Sequence, residues 1–331
     1  MSYDPNVLQQ ATRRLEEARM DRSRQTEQRR RQAYERQPRL AQIDRQLRQT
    51  MTGVATAALK QGEDPGPALD RLRAENLDLQ DERNMLLAGM GLHPEDVDDT
   101  PACAQCGDRG WRGAVMCDCL RSLCTQEQIR SLSSLLNLGE QSFGRFRLDY
   151  YSNLPDPTTG ISPRENMEKV IHPICLSYAN NFGRSRLRNL FFYGAPGLGK
   201  TFLSACIARA VSEAGHSVVY DTAGSIFARF EDQKFARDAQ AKDETRRYLN
   251  CDLLIVDDLG CELTTQFVQT ALYTLINSRL ASGRHTIISS NLTMDEVARR
   301  YSPQIASRLD GEYEALCFYG EDIRQLRKRN I

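Results

Sequence analysis

Residues 194–201 read Gly194-Ala195-Pro196-Gly197-Leu198-Gly199-Lys200-Thr201 and match the pattern G-x-x-x-x-G-K-[ST] at every fixed position. The apolar run 189–193 before them has strand character, and residues 201–214 after them have the apolar spacing of a helix. A glycine-rich turn between a strand and a helix points several backbone N–H groups at one spot, where the helix N-terminus adds partial positive charge. The pattern therefore predicts a polyphosphate site, and an ordinary glycine-rich turn is the alternative.

The chemistry expected at this loop needs a cation, a metal ligand and acidic groups. Lys200 is expected to reach the β- and γ-phosphates of ATP, and the Thr201 hydroxyl to ligate Mg²⁺. The apolar run 253–256 ends in Asp257 and Asp258, at the end of a predicted buried strand where ligands of open α/β sheets bind. Asp257 is expected to complete the Mg²⁺ shell and Asp258 to polarise the attacking water. Many such ATPases carry Glu at the second position, so the shorter Asp258 predicts slow or partner-dependent hydrolysis.

Two further residues are candidates for the same reaction. Asn291 follows the predicted strand 285–290, and it faces the γ-phosphate and orients the water if that strand lies beside the loop strand; otherwise it caps the next helix. Arg308, within Ser307-Arg308-Leu309, is a candidate for an arginine delivered across a subunit boundary, with an ordinary exposed helix arginine as the alternative. Arg279 and Arg324 are weaker candidates for that role.

Strand and helix signals alternate from about residue 143 to the end of the chain. This alternation predicts an α/β fold, a parallel sheet flanked by helices on both faces. The predicted strands are Leu190–Tyr193, Ser217–Tyr220, Leu253–Val256, His285–Ser290 and Ala315–Tyr319.

Four cysteines lie within seventeen residues, in the spacing C-x2-C-x10-C-x-C: Cys103, Cys106, Cys117 and Cys119. Close cysteine pairs separated by glycine turns are typical of a tetrahedral Zn²⁺ site. The second pair is tighter than the usual C-x2-C, and structurally idle thiols are the alternative.

The first fifty residues are rich in arginine, although the whole chain has no net charge. They predict a solvated helix, or two helices broken at Pro38. A solvated charged face and a basic arm that touches nucleic acid or an acidic partner are both compatible with this composition. A break at 62–67 precedes a predicted helix at 68–90, which is expected to form a helical hairpin with the segment before it.

No stretch has the about 18 apolar residues that a membrane span needs, and the N-terminus lacks an apolar signal core. We therefore expect a cytoplasmic protein without a membrane partner, in which cysteines are free thiols or metal ligands. Three segments are predicted: a helical, Arg-rich region at 1–100, a zinc-binding segment and helix at 101–138, and an ATPase domain at 139–331.

The order of the phosphate loop, Asp257-Asp258-Leu259-Gly260, Ser289-Ser290-Asn291 and Ser307-Arg308-Leu309 resembles the AAA+ ATPases. Within them it is similar to the DnaC/DnaI-type bacterial replicative helicase loaders and their relative, the IstB transposition ATPase. The segment 143–151 is similar to the opening of the loaders' ATPase domain, and the cysteine cluster to one in the N-terminal domain of some loaders.

The resemblance implies an ATP-dependent loader of the replicative DNA helicase onto single-stranded DNA during replication initiation, which assembles as a homo-oligomer. An IstB-like transposition helper ATPase is one alternative. A zinc-containing adaptor that uses ATP binding as a switch and barely hydrolyses ATP is the other.

Overall fold

The computed structural model describes residues 3–59, 66–136, 141–235 and 239–329. They form two compact units, one of residues 13–119 and one that combines residues 1–12 with residues 120–331. The bounds of these two units differ from those of the three predicted segments. The functional division into three segments stays a prediction. None of the helices within the described ranges is long and apolar enough to cross a membrane.

The unit of residues 13–119 is mostly helical. Pro38 starts a new helix because proline has no backbone N–H to continue the previous one, which confirms the predicted break. The helices are α1 (Pro5–Arg36), whose first residues belong to the other unit, α2 (Pro38–Leu59), α3 (Gly66–Gly89) and the short α4 (Pro94–Val97). A two-stranded antiparallel sheet follows, β1 (Trp111–Arg112) with β2 (Val115–Met116).

Helices α2 and α3 form the predicted hairpin. Arg83 joins them, with its guanidinium 2.7 Å from Asp44 and 2.7 Å from Asp98. A small apolar core lies beneath this pair: Ala33, Leu40, Leu87 and Val97. Residues 60–65, where most of the predicted break falls, lie outside the described residues.

Many arginines of the first helices are paired with acids, as expected of a solvated charged face. The pairs are Arg13 with Glu17, Arg24 with Asp21, Arg29 with Asp96, Arg31 with Glu27 and Arg39 with Glu82. Exposed pairs of this kind contribute little to stability, typically about 0–1 kcal/mol each.

Helix α5 (Asp118–Leu136) leads into the second unit. The boundary predicted between the segment 101–138 and the domain 139–331 falls in residues 137–140, which lie outside the described residues. Gln128 joins α5 to the sheet: its Nε2 donates to Ser212 Oγ at 2.9 Å and to His216 O at 2.8 Å, and its Oε1 accepts from Val218 N at 2.9 Å.

The second unit then alternates helices and strands as predicted. Two 3₁₀ turns (Phe143–Arg145, Leu148–Tyr150), α6 (Pro163–Asn166), a π-helical turn (Met167–Ile171) and α7 (His172–Asn180) precede the sheet. The remaining elements are β3 (Asn189–Gly194), α8 (Lys200–Glu213), β4 (Val218–Thr222), α9 (Ala223–Phe235), α10 (Ala239–Asn250), β5 (Leu253–Leu259), α11 (Gln266–Ala281), β6 (His285–Ser290), α12 (Met294–Arg300), α13 (Pro303–Glu312), β7 (Glu314–Phe318) and α14 (Ile323–Arg329).

The five strands β3–β7 form one parallel sheet in the order β4-β5-β6-β3-β7. Neighbouring side chains along a strand point to opposite faces, so each strand contributes to two cores. Phe192 and Ile255 belong to the core under α7 and α8, whereas Phe191 and Val256 belong to the core under α9 and α11. The predicted α/β class and parallel sheet are confirmed.

Strand β6 lies between β3 and β5, so the three carboxyl ends that carry the predicted site residues are neighbours. Leu190 of β3 pairs with Ile287 of β6, and Leu254 of β5 pairs with Thr286 of β6. This order places the phosphate loop, the two aspartates and Asn291 at one edge of the sheet.

Candidate nucleotide site

The phosphate loop connects β3 to α8, as the sequence predicts. Gly194 has φ +137°, and a Cβ at this position would lie 1.9 Å from the carbonyl oxygen of Phe318 on β7. Only glycine lets the two backbones approach so closely. Gly199 has φ +95° and precedes the first residue of α8. The loop backbone therefore opens at the N-terminus of α8, where an anion is favoured.

The Lys200 ammonium is held inside this loop. Its Nζ donates to Gly194 O at 2.6 Å and to Ala195 O at 2.8 Å. Burial lowers the pKa of Lys200, against the opposing charges of Asp258 and Asp257. The Lys200 ammonium can therefore donate to phosphate oxygens in place of these two carbonyl groups when a nucleotide binds.

Three hydroxyl groups surround the Asp257 carboxylate, which is only 2 % exposed. Thr201 Oγ1 donates to Oδ2 at 3.0 Å, Tyr220 OH donates to Oδ2 at 2.6 Å, and Ser289 Oγ donates to Oδ1. Burial, with the Asp257 charge beside it, raises the pKa of Tyr220, so the phenol stays a donor. The contact of Thr201 with Asp257 brings together the two side chains predicted to share Mg²⁺. Hydroxyl and carboxylate oxygens are the ligand type that this ion prefers.

Tyr220 and Ser289 were missed as site residues. Tyr220 closes the predicted strand 217–220, and Ser289 stands in the quoted run Ser289-Ser290-Asn291. A polar residue at the carboxyl end of a strand is a signal for the site, but only the strand order shows which strand ends are neighbours.

Asp258 has φ +56°, a left-handed conformation that Asp tolerates better than most residues. Its backbone N–H donates to Ser289 Oγ at 3.1 Å. Partial burial and the Asp257 charge raise the pKa of Asp258, while Lys200 and Arg324 act in the opposite direction. A carboxylate with a raised pKa is suited to accept a proton from water.

Asn291 lies beyond the end of β6 and lines the same cavity as Asp257 and Asp258. The alternative role as a helix cap is wrong, because Thr293 caps α12 by accepting from Glu296 N. The strand order on which the water-orienting role depended is as expected, since β6 pairs with β3.

One cavity of about 880 Å³ contains these groups. Aromatic residues of the segment before the sheet line one part of it, and Tyr151 OH donates to Leu198 O of the loop at 3.1 Å. Helix α14 closes another part with Arg324 and Arg327, and Ile323 N donates to Gly197 O at 3.0 Å. The cavity thus combines a phosphate loop, cations and aromatic surface, which fits a nucleotide.

The three candidate arginines lie in different environments. Arg324 lines the cavity. Arg308 is exposed on α13 and is not among the lining residues, so its proposed action across a subunit boundary stays a prediction. Arg279 is wrong as a candidate: it is fully buried, and it donates to Tyr248 O of α10, to Cys251 O just before β5 and to His285 O at the start of β6.

The four predicted zinc ligands meet in the other unit. The Sγ atoms of Cys103, Cys106, Cys117 and Cys119 all lie within 4.8 Å of one another. Cys103 Sγ is 3.7 Å from Cys117 Sγ, and Cys106 Sγ is 3.5 Å from Cys119 Sγ. Four thiolates at the usual Zn–S distance of about 2.3 Å form a tetrahedron with edges of about 3.8 Å, so this donor set fits Zn²⁺.

The backbone around the cysteines supports that arrangement. Burial alone would raise the pKa of Cys106, but the Gly110 N–H and the neighbouring thiols donate to its sulfur and bring the pKa to about 7. The carboxylate of Asp108 accepts from Cys103 N at 2.8 Å and Ala102 N at 3.0 Å, and it also binds Arg22. These bonds fix the turn that carries the first cysteine pair.

Residues 177–307 match the model of the IstB-like ATP binding protein family. Over 124 residues the chain is 25% identical to the replicative helicase loader DnaC of Escherichia coli K12, covering 37% of this chain and 50% of that protein. Over 151 residues it is 25% identical to the chromosomal replication initiator protein DnaA of Caldanaerobacter subterraneus subsp. tengcongensis, covering 45% of this chain and 32% of that one. The chain thus spans a third to a half of the length of these curated relatives.

Solved structures give the same kind of similarity. A DnaC helicase loader matches with a TM-score of 0.43 and 22% identity, over 54% of this chain and 98% of that chain. DnaI matches with a TM-score of 0.44 and 18% identity, over 57% of this chain and 93% of that chain. The family match and the similarity to the loader DnaC of Escherichia coli K12 confirm the predicted resemblance over the part of the chain that they cover.

Proposed function

We propose that this chain, whose C-terminal domain is a AAA+ P-loop ATPase domain, loads the replicative DNA helicase onto single-stranded DNA during replication initiation, using ATP. One observation carries the ATPase part: a single cavity holds the phosphate loop, Lys200, Asp257, Asp258 and Asn291. The loader part rests on the similarity to the loader DnaC. A separate helical unit with a metal-type cysteine cluster is available for a partner.

The reaction follows from the positions of these side chains. The loop N–H groups and Lys200 bind the phosphates, and Thr201 and Asp257 hold Mg²⁺, which when bound withdraws charge from the phosphate oxygens. Asn291 orients a water, and Asp258 accepts a proton from that water as its oxygen bonds to the γ-phosphorus and the bond from the γ-phosphorus to the bridging oxygen of ADP breaks. The products are ADP and phosphate. Tyr220 and Ser289 keep the Asp257 carboxylate in place throughout.

A second copy of the chain completes the site in this proposal. Arg308 is exposed and is not among the residues that line its own cavity, so it is free to reach the γ-phosphate of a neighbouring subunit. ATP at each such boundary then favours a homo-oligomer, which aligns several domains along one DNA strand. We place this activity in the cytoplasm, with the DNA that it acts on.

The unit with the cysteine cluster is proposed to bind the helicase and to hold one Zn²⁺ through Cys103, Cys106, Cys117 and Cys119. Its helices carry a charged, solvated surface and no phosphate loop, which suits a protein partner rather than a nucleotide.

A transposition helper of the IstB type is the second candidate, favoured by the family match over residues 177–307. A zinc adaptor that switches on ATP binding is the third. It is favoured by the short Asp258 in the position where many such ATPases carry glutamate, because a short carboxylate predicts slow hydrolysis.

One experiment separates these functions. The full-length chain is immobilised with its zinc retained, and cell extract is passed over it with ATP; bound proteins are identified, and Lys200→Ala protein is the control. ATP turnover is measured with and without single-stranded DNA. We expect capture of the replicative helicase and turnover stimulated by DNA. Capture of a transposase would favour the IstB-like function, and no turnover above that of Lys200→Ala would favour the adaptor.

A further inference from the structure

The two-stranded sheet β1–β2 beside the cysteine cluster exposes the single tryptophan of the chain. Trp111 pairs with Met116, and Arg112 pairs with Val115, across a two-residue turn. Gly113 is the first residue of that turn and has φ +61°, as a type II′ hairpin requires. The hairpin is therefore a regular, well-specified element and not an unstructured loop.

This hairpin keeps large apolar groups in solvent. Trp111 is 38 % exposed and Val115 is 59 % exposed. Burying an aromatic side chain removes about 150–250 Å² from water, so the exposed part of this indole is apolar surface that a ligand can cover. The exposed part of the indole lies on the strand pair farther from the turn, where it is accessible to a ligand.

The charged residues of the hairpin itself are both arginines. Residues 109–116 read RGWRGAVM and contain two arginines and no acid. The preceding Asp108 is buried and is neutralised by Arg22 and by two backbone N–H groups. Within the described part of its own unit, no carboxylate forms an ion pair with Arg112, which is exposed. Arg109 is also exposed, and its Nε donates to Cys106 O at 3.1 Å, which fixes the guanidinium near the hairpin.

From this juxtaposition we propose that the hairpin 109–116 is a binding site for single-stranded nucleic acid that works without ATP. One base stacks on the Trp111 indole, while Arg109 and Arg112 pair with the flanking phosphates. Proteins that bind single strands without sequence preference commonly combine aromatic side chains, on which bases stack, with basic side chains, which contact the backbone. This contact is separate from any DNA binding by the ATPase domain and does not depend on the loader function.

A protein partner is less well matched to this surface. A specific protein interface covers about 800 Å² on each side around a buried apolar centre. The large exposed apolar groups of the hairpin are one indole and one valine, whereas its two exposed arginines match a polyanion.

The test uses the fact that Trp111 is the only tryptophan, so indole fluorescence reports on this hairpin alone. Full-length protein with zinc retained, without nucleotide and at low salt, is titrated with an oligothymidylate. We expect saturable quenching, a midpoint that moves to higher oligonucleotide concentration with salt, and no comparable change on adding ATP alone. Fluorescence that stays unchanged while a labelled oligonucleotide binds, or an absence of binding, would overturn the proposal.

Variants test the stacking residue and the phosphate-binding residue separately, and the fluorescence anisotropy of a labelled oligonucleotide measures their binding. Trp111→Ala and Arg112→Ala are each expected to weaken binding about tenfold, and Trp111→Phe to retain most of it. Arg19→Ala is the matched control, because Arg19 is an exposed arginine of the same unit outside the hairpin. Equal losses from Arg19→Ala and Arg112→Ala would mean non-specific attraction and contradict the site. If Trp111→Ala loses its zinc, Trp111→Phe and Arg112→Ala still decide the outcome. An indole response to purified replicative helicase but not to oligonucleotide would replace nucleic acid with protein as the partner.

Discussion

Tyr220 OH donates a 2.6 Å hydrogen bond to Oδ2 of Asp257, and the two residues lie near the carboxyl ends of neighbouring strands, β4 and β5. The same carboxylate also accepts from Thr201 and Ser289, so its orientation is set by three hydroxyl groups. Side chains that orient a metal ligand typically change metal affinity or activity by about 10–100-fold when they are removed.

Tyr220→Phe is therefore expected to raise the Mg²⁺ concentration that gives half-maximal ATP turnover by about tenfold, while turnover at saturating Mg²⁺ falls less. The measurement is ATP turnover as a function of free Mg²⁺. Tyr273→Phe is the control, because Tyr273 is an exposed tyrosine on α11. A parallel loss at every Mg²⁺ concentration would mean that Tyr220 acts on folding or on nucleotide binding and not on the metal site.

Lys200→Ala is expected to abolish ATP binding and leave the fold intact. Among its described partners, the Lys200 ammonium is bonded only to the loop carbonyls of Gly194 and Ala195. Its loss therefore removes the positive charge that attracts the phosphates and removes little packing. Asp258→Asn is the matched contrast: it should bind ATP normally and lose turnover, since Thr201 and Asp257 are the proposed Mg²⁺ ligands. Binding is measured by calorimetry and turnover by phosphate release. ATP affinity unchanged by Lys200→Ala would remove the phosphate-loop assignment.

The acid side of the pH profile should report on Asp258. Burial and Asp257 raise the pKa of this carboxyl, and Arg324 lowers it. In the proposed reaction the deprotonated form is the active one, so activity should be lost as the pH falls through the pKa. Removing Arg324 removes a positive charge that lowers the pKa of Asp258, so this pKa should rise. In Arg324→Ala the acid limb of kcat/KM should therefore move to higher pH.

The measurement is kcat/KM from about pH 5 to about pH 8. Arg299→Ala, which changes an exposed arginine of α12, should leave the acid limb where it is. Arg324→Ala with a higher KM but an unmoved acid limb would mean that Arg324 contacts phosphate without influencing Asp258.

The cysteine cluster is expected to hold one Zn²⁺ per chain. Since the four thiols form the centre of a short segment, removing the metal should unfold residues near 100–125, while ATP binding survives. Metal analysis of protein purified without chelator measures the zinc, and limited proteolysis measures the unfolding. Cys103→Ser should lower the zinc content, whereas Cys261→Ser, at an exposed cysteine of the ATPase domain, should not. Wild-type protein without zinc would contradict this assignment.

Much of the ATPase domain could be predicted because its signals are local. The phosphate loop, the two aspartates and Asn291 each follow a predicted strand, and β6 has the predicted bounds. Strand β5 is longer than predicted and continues to Leu259, because Asp257 pairs with Thr222 and Leu259 with Ser290. An acidic pair normally ends an apolar strand signal, so the sequence alone placed the end of β5 too early.

The rest depends on contacts between distant segments. Tyr220 becomes part of the site only through the register of β4 and β5, which no local pattern specifies. Arg279 was misjudged because a basic residue on a helix is normally exposed, whereas here its guanidinium is satisfied by carbonyls of three other segments. Such a buried cation is recognisable only when its partners are known.

The proposed role of Arg308 depends on a boundary between two subunits. It is exposed and does not line its own cavity, so if it acts it acts on a neighbouring copy. Isolated subunits should then hydrolyse ATP slowly, and turnover per chain should rise with protein concentration or with single-stranded DNA.

Complementation gives the sharpest test of that role. Arg308→Ala protein keeps an intact phosphate site, and Lys200→Ala protein keeps an intact arginine. Each is expected to be inactive alone, and a mixture should recover part of the wild-type turnover, because a Lys200→Ala subunit can present Arg308 to the nucleotide of an Arg308→Ala subunit. Mixing Lys200→Ala with Asp258→Asn is the control: both lack a group needed within one cavity, so no active pairing can form. If Arg308→Ala turns over normally, or the first mixture stays as inactive as the second while wild-type turnover per chain is independent of concentration, Arg308 is an ordinary surface arginine.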